Sequence, residues 1–364
     1  MEKNDIFMIY GQNAKAMAKE ILDACALDAL IGDKNKKIGI KPNLVVARPA
    51  SDGATTHPEL VEGVILYLKE KGYHNITIME GCGIGASTAS SFRACGFTAL
   101  ADKYSIKLID TQKDSAKAHD CRGLPITICN CAFSVDFMIN MPVLKAHCQT
   151  AVTCALKNNK GLIPDSEKRR FHTMGLHKPI AHLNTALRND FILVDGLCGD
   201  LSFEEGGNPV QMNRVLAMRD PVLCDAFVCD LIGYSLQDVP YISMAAKLGL
   251  GECDTSKANV TELNTDQNNT EKLVYSRKVD RLGKYTKQKD ACSACYGSLI
   301  HALDRISDKG MLSRIKQPIC IGQGYKGDSG EAGVGSCTHG FKKSVPGCPP
   351  KAIDIVNFIE NELL

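Results

Sequence analysis

The chain carries little net charge, no long apolar run and no leader-like N-terminus, and each lack removes a class of function. Its 43 basic and 41 acidic residues leave a formal charge of +2, too little to hold a polyanion through bulk charge. No apolar run approaches the roughly 20 residues that a membrane helix needs. The opening MEKNDIFMIYGQNAKAMAKE is charged and amphipathic and has no signal-peptide h-region. These lacks predict a cytoplasmic protein with neither nucleic acid nor membrane as a partner. Internal repeats and low-complexity tracts are missing as well. At 364 residues, one large or two modest domains can bury a core.

What the chain has in excess is cysteine, 17 residues of it. A disulfide scaffold is not expected in a reducing compartment at this length. Most of these thiols therefore read as small apolar side chains, among them Cys25, Cys95, Cys129, Cys131, Cys224 and Cys229. Such abundance also suits a cell in which oxidation is a minor hazard.

Strand and helix signals alternate along the first half. Residues 37–45 read as a buried strand with its exit loop, and 75–80, 105–110, 137–141 and 191–195 as further strands. Apolar residues at helical spacing mark 58–71, opened by Pro58 and closed by Gly72, and also 87–104, 220–234 and 241–248. Strands alternating with helices imply parallel pairing. The expected fold class is α/β, a mostly parallel sheet with helices on both faces, plus a small C-terminal cysteine-rich module. The expected domains are 1–264 for the α/β part, 265–290 for a linker region that includes the polar stretch TDQNNTEK, and 291–364 for the module.

The module opens with Cys292-Ser293-Ala294-Cys295 and closes with GSCTHGFKKSVPGCPP, which holds Cys337 and Cys348. A structural zinc site wants two closely spaced pairs, and ten residues separate the second pair here. A thioredoxin-like pair leaves Cys337 and Cys348 unexplained. A [4Fe-4S] cluster held by Cys292, Cys295, Cys337 and Cys348 fits best, because glycines at 335, 340 and 347 let amides approach the sulfurs and proline follows the last ligand. Lys342 and Lys343 are expected to add positive charge beside it. Cys320 is a reserve ligand that reads better as strand core.

Several stretches resemble the family of domain of unknown function 362: KPN at Lys41–Asn43, TTHPE at Thr55–Glu59, PVLKAHCQTAVTCALKNNKGLIP at Pro142–Pro164 and RDPVLCDAFVCDLIGY at Arg219–Tyr234. The similarity runs from about Lys37 to Gly251. The resemblance implies an α/β fold and, in members with elements like CSAC, GQG and GCPP, an iron–sulfur module. The GCPP element also resembles the cluster-binding end of hydrogenase small subunits.

In parallel α/β sheets ligands bind beyond the carboxyl ends of strands. Lys41 and Asn43 follow the first strand there, Glu80, Asp110 and Asp195 end others, and Lys145 and His147 follow the strand ending near Met141. Thr55, Thr56 and His57 precede a helix N-terminus, a natural anion cradle. Lys41, Asn43, Thr56 and Lys157 are thus candidate substrate-binding residues, and His57, Lys145 and His147 candidate catalytic ones. The bland reading is solvated strand-end charges and a helix cap.

The basic segment 145–182 holds His147, His172, His177 and His182. The last three are spaced five apart and do not share one helical face, so it reads as a basic loop, either closing over an anionic ligand or simply solvated. Gly81-Cys82-Gly83-Ile84-Gly85-Ala86 fits a dinucleotide-binding turn between strand and helix, but it does not lie on the first strand.

The expected function is that of an iron–sulfur oxidoreductase passing electrons from the cluster to a small anionic organic substrate, with His147 or His57 as proton donor. One alternative is a non-redox enzyme or ligand-binding protein with a structural cluster. Another is a nicotinamide-dependent dehydrogenase using Gly81, Gly83 and Asp110. A ferredoxin-like electron donor and a homo-oligomer are compatible with the main reading.

Overall fold

The alternation read from the sequence becomes an eight-stranded sheet in a computed structural model that describes residues 1–265, 273 and 278–364. The chain divides into two units, Met1–Glu167 with His177–Tyr275, and Lys168–Leu176 with Ser276–Leu364. The first contains strands β1 (Asp5–Tyr10), β2 (Ile38–Pro42), β3 (Ile76–Glu80), β4 (Lys107–Asp110), β5 (Ala116–Asp120), β6 (Pro125–Cys129), β7 (Phe137–Met141), β8 (Lys145–His147), β9 (Ala151–Thr153), β10 (Phe191–Asp200), β11 (Pro209–Met218) and β12 (Asn259–Glu262). The large sheet runs β12-β1-β11-β10-β7-β2-β3-β4, while β5 with β6 and β8 with β9 form separate antiparallel pairs. Neighbours in the large sheet are parallel except for β11, which runs antiparallel to both β1 and β10.

The helices of this unit are α1 (Ala14–Ala24), α2 (Leu27–Ile31), α3 (Pro58–Glu70), α4 (Thr88–Ala94), α5 (Phe97–Tyr104), α6 (Ala155–Asn158), α7 (Asp165–Thr173, passing into the second unit at Lys168), α8 (His177–Leu183), α9 (Pro221–Ile232) and α10 (Pro240–Lys247). On α3, Leu60, Val61, Val64, Ile65 and Leu68 are buried at helical spacing, each burial contributing about 1.5–3 kcal/mol. They share a core with Ala14, Met17, Ala18 and Ile21 of α1, and with Ile38, Ile40, Ile76, Ile78, Ile139 and Leu193 of the sheet. A Cβ at Gly63 would stand 2.6 Å from that of Ala18, so glycine sets how closely α1 and α3 approach. The alternate strand residues Met79, Met138, Ile192, Val194, Leu216 and Met218 are buried too. Both sheet faces are therefore covered, as parallel strands require.

The single helix expected over 87–104 is two. Gly96 adopts φ +80°, a left-handed turn that ends α4 and redirects the chain into α5. The basic loop expected over 145–182 is mostly β8, β9 and helices α6, α7 and α8, in which Lys157, Lys168 and His172 are buried. Apolar neighbours such as Leu156, Leu162, Phe171 and Ile180 pull this segment inward despite its charge. No helix among the described residues is long and apolar enough to cross a membrane.

The second unit contains α11 (Lys278–Gly283), β13 (Thr286–Gln288), α12 (Ser293–Asp308), β14 (Ile319–Ile321), β15 (Ala332–Val334), β16 (Lys343–Val345) and α13 (Ala352–Phe358). Its four strands form a parallel sheet in sequence order. Of the region expected as a linker, 265–290, residues 266–272 and 274–277 lie outside the described residues, and 278–290 carries α11 and β13.

Candidate functional site

The chain runs from β2 outward through β3 to β4, then returns to β7 on the other side of β2. The crevice beyond the carboxyl ends of β2 and β7 is thus the switch point at which open α/β sheets bind ligands. Lys41 stands opposite Asn140 and Pro42 opposite Met141 in this pair. The wholly buried Lys41 ammonium meets the Glu80 carboxylate and donates to Pro42 O at 2.7 Å and Asn158 Oδ1 at 3.3 Å. Asn158 of α6 donates to Asn140 Oδ1 at 2.7 Å and accepts from Asn43 Nδ2 at 2.9 Å. Thr56 Oγ1 accepts from the Asn43 amide at 2.8 Å and donates to Met141 O at 2.9 Å. Lys145 Nζ donates to Asn43 Oδ1 at 3.1 Å, Ala54 O at 2.6 Å and Glu204 O at 3.0 Å.

The network ends on Glu204. Lys157 Nζ donates to its Oε1 at 2.7 Å, and His147 Nε2 lies 2.7 Å from its Oε2, close but outside hydrogen-bond alignment. His147 Nδ1 accepts the Gln149 and Thr150 amides, each at 3.0 Å. Burial draws Lys145 down to about 8 and His147 down to about 4. Burial alone would raise the Glu204 carboxyl, but the His147 N–H beside it and the Lys157 and Lys145 ammonium groups outweigh burial and hold it well below the usual range. Burial, with Glu204 adjacent, pushes Glu205 up to about 7. One polar network thus joins Lys41, Asn43, Thr56, Lys145, His147 and Lys157, with Glu80 and Glu204 as the carboxylate partners of its cations.

His57 sits elsewhere, before the first residue of α3. Its amide and Nδ1 lie 2.7 and 2.8 Å from Oδ2 of the wholly buried Asp195. Burial pulls the imidazole pKa down, but Asp195 outweighs burial and the net shift is upward. With Nδ1 engaged, Nε2 is the atom left to exchange a proton. His57 lines an open cavity of about 630 Å³ with Gln12, Lys15, Leu197 and Asn213. Leu197 lies where the β10–β11 register shifts, and Asn213 adopts φ +48°. Bulges and strained residues gather at functional sites.

In the second unit the four thiols expected as ligands face one cavity. Cys292 follows β13 and caps α12, Cys295 lies in the first turn of α12, Cys337 follows β15 and Cys348 follows β16. All four line one cavity of about 160 Å³, together with Gly322, Gln323, Gly335, Gly347, Lys326 and Arg169. The carboxyl ends of β13 to β16 share one edge of a parallel sheet, which is why residues 56 positions apart converge. Gly322 has φ +125° and a Cβ there would stand 2.0 Å from Lys289 O, so only glycine permits that turn. Burial pushes the Cys337 thiol up while Lys326 opposes it. Lys342 and Lys343 do not line the cavity as expected: Lys342 pairs with Glu331 at 2.5 Å and Lys343 reaches Glu362 O. Lys326 and Arg169 supply the positive charge in their place. Cys320 lies within β14, outside the lining. No three of the four sulfurs come within 4.8 Å of one another; among the described residues such convergence occurs at Cys154, Cys224 and Asp225.

The family model described as domain of unknown function 362 (DUF362) matches residues 38–230, more than half of the chain. The chain belongs to the DUF362 family. This DUF362 protein is also 21% identical over 225 residues to a thylakoid-associated protein, sll1697, of Synechocystis, a match covering 59% of this chain and 68% of that one. The lactate racemase apoprotein of Thermoanaerobacterium thermosaccharolyticum is similar in structure with 11% identity and a TM-score of 0.40, covering 62% of this chain. This chain spans 56% of the racemase's length, and a likeness at that score carries no argument about activity.

Sequence reasoning about this DUF362 protein missed Glu204, Glu205 and Asn158. Asn158 lies inside the KNN run beside Lys157, but the acidic pair in EEGGNP has no local pattern that separates it from a surface turn. The glycine turn of the dinucleotide reading is used by the protein itself. The amides of Gly81, Cys82 and Gly83 donate to Glu80 Oε1, Thr88 Oγ1 and Val45 O at 2.8, 3.1 and 2.9 Å.

Proposed function

We propose that this DUF362 protein is an iron–sulfur protein that delivers electrons to a small anionic organic acceptor. The observation that carries the reading is the lining of one small cavity by Cys292, Cys295, Cys337 and Cys348. A single zinc ion with bonds of about 2.3 Å would hold its sulfurs about 3.8 Å apart. Four thiols around one cavity suit a four-iron cube, in which each thiolate binds a different iron. Bound there, the cluster would supply single electrons. The N-terminal end of α12 and the side chains of Lys326 and Arg169 offset the negative charge of four thiolates. The module would be the unit Ser276–Leu364 together with its Lys168–Leu176 segment, which brings Arg169 to the thiols.

Of the two histidines expected to move a proton, His57 suits the task better. It is partly exposed and oriented by Asp195, whereas His147 is buried and held neutral. Lys15, Gln12 and Asn213, which share the open cavity with His57, would meet an acceptor carboxylate there, while Lys41, Asn43, Thr56, Lys145, His147 and Lys157 form a buried network already matched by Glu80 and Glu204.

The test is purification without oxygen, iron and sulfide analysis, and electron paramagnetic resonance after dithionite reduction. About four iron and four sulfide per chain are expected. Serine at any one of the four positions should lower both, and Cys25→Ser should not. Zinc at one per chain with no sulfide, after anaerobic reconstitution, would overturn the cluster. A cluster that dithionite cannot reduce would leave it a structural role and make the protein a non-redox enzyme or ligand-binding protein.

A further inference from the structure

We propose that Cys154, Cys224 and Asp225 form a zinc site in the interior of the first unit, separate from the C-terminal thiols. Their ligand atoms all lie within 4.8 Å of one another, and all three residues are wholly buried. The two sulfurs stand 3.8 Å apart, which matches the edge of a zinc–thiolate tetrahedron with bonds of about 2.3 Å. Asp225 Oδ1 is buried and makes no well-aligned hydrogen bond, Oδ2 accepts from the Leu156 amide at 3.3 Å, and the Tyr241 hydroxyl and Cys154 thiol also stand against the carboxylate. A carboxylate buried without a cation beside it is costly, and an ion held by it and two thiolates offsets that cost. Two thiolates and a carboxylate suit a borderline-soft divalent ion with nitrogen, sulfur and oxygen preferences. Binding releases the two thiol protons, and three protein ligands leave one tetrahedral position for water.

The site has a structural consequence. Cys154 directly precedes α6, and Cys224 with Asp225 lies on α9. Zinc would tie α6 to α9, and α6 carries Lys157 and Asn158 into the switch-point network. It would brace the network without touching an acceptor.

The full chain, reconstituted anaerobically with iron and sulfide, is equilibrated with zinc chloride, desalted and analysed for both metals. About one zinc per chain is expected in addition to the iron. Cys154→Ser, Cys224→Ser and the near-isosteric Asp225→Asn should each lose the zinc and keep the iron and sulfide. Cobalt(II) substituted into the unmodified chain should show sulfur-to-cobalt charge-transfer bands, a readout that needs no variant to fold. Absence of retained zinc in the unmodified chain, zinc retained by all three variants, or a Cys154–Cys224 disulfide formed in its place would each overturn the site. Loss of the C-terminal cluster alone would leave it standing, because the two sites share no ligand.

Discussion

Glu80→Gln is the sharpest probe of how the switch-point network is held. Lys41 and Glu80 are 0% and 3% exposed, and the ammonium has no water to turn to if its partner loses charge. Breaking a buried ion pair from one side costs about 3–5 kcal/mol, since the remaining charge is uncompensated. Two neutral acceptors, Pro42 O and Asn158 Oδ1, stay within reach of Lys41, and glutamine can still accept from the Gly81 amide. The expected loss is therefore at the lower end, about 3 kcal/mol. Lys41→Met, which removes the ammonium facing the buried Glu80 carboxylate, should cost a similar amount. The double variant should cost less than either single change, because both charges then leave together. Urea unfolding followed by circular dichroism reads these losses as midpoint shifts at constant slope. A loss below about 1 kcal/mol for Glu80→Gln, or a double variant as damaged as the sum of the singles, would refute the pairing.

Gly161→Ala tests the same pair sterically. Its Cβ would stand 2.2 Å from Glu80 Oε1 and 2.6 Å from Lys41 Cε, both locked in place, so a loss of about 2 kcal/mol or more is expected in the same urea assay. His147 gives a pH signature. Its folded pKa of about 4 lies below its ordinary 6.5, so between those values the unfolded chain binds a proton that the native chain does not. Stability should fall as pH drops through that window, and His147→Gln should flatten the slope; parallel slopes in the two proteins would count against it. Asp220→Ala removes the acceptor that caps α9 through the Val222 and Leu223 amides at 2.8 and 3.0 Å, with a thermal-shift loss corresponding to about 1–2 kcal/mol. Because the amides of the Gly81 turn are already engaged, NADH and NADPH at millimolar concentration should not raise the melting temperature. A rise abolished by Gly83→Val would promote the dehydrogenase reading.

The sequence carried the local structure well where one element decides its own form. Apolar spacing and Pro58 set α3 to within a residue of its observed bounds, and a run of β-favouring residues set β3. It was less informative where a single backbone angle decides, as at Gly96, whose left-handed turn divides 87–104 into two helices. Strands β1, β11 and β12, which make one end of the large sheet, were not legible, because each is defined by a partner more than 200 residues away or by an antiparallel return. The cysteine quartet was legible because its residue types are rare and its glycine and proline context is chemical as well as structural.

By itself, then, the sequence determined the central strands β2, β3, β4, β7 and β10, helix α3 and the grouping of four thiols in the C-terminal stretch, since backbone propensity and ligand chemistry act over short stretches. Only the tertiary structure decided what the basic residues face. Lys41 finds Glu80 across 39 positions, Lys157 finds Glu204 across 47 and His57 finds Asp195 across 138. A buried cation must be matched by a carboxylate, but nothing local says which one, because strand order and crossover alone bring them into contact.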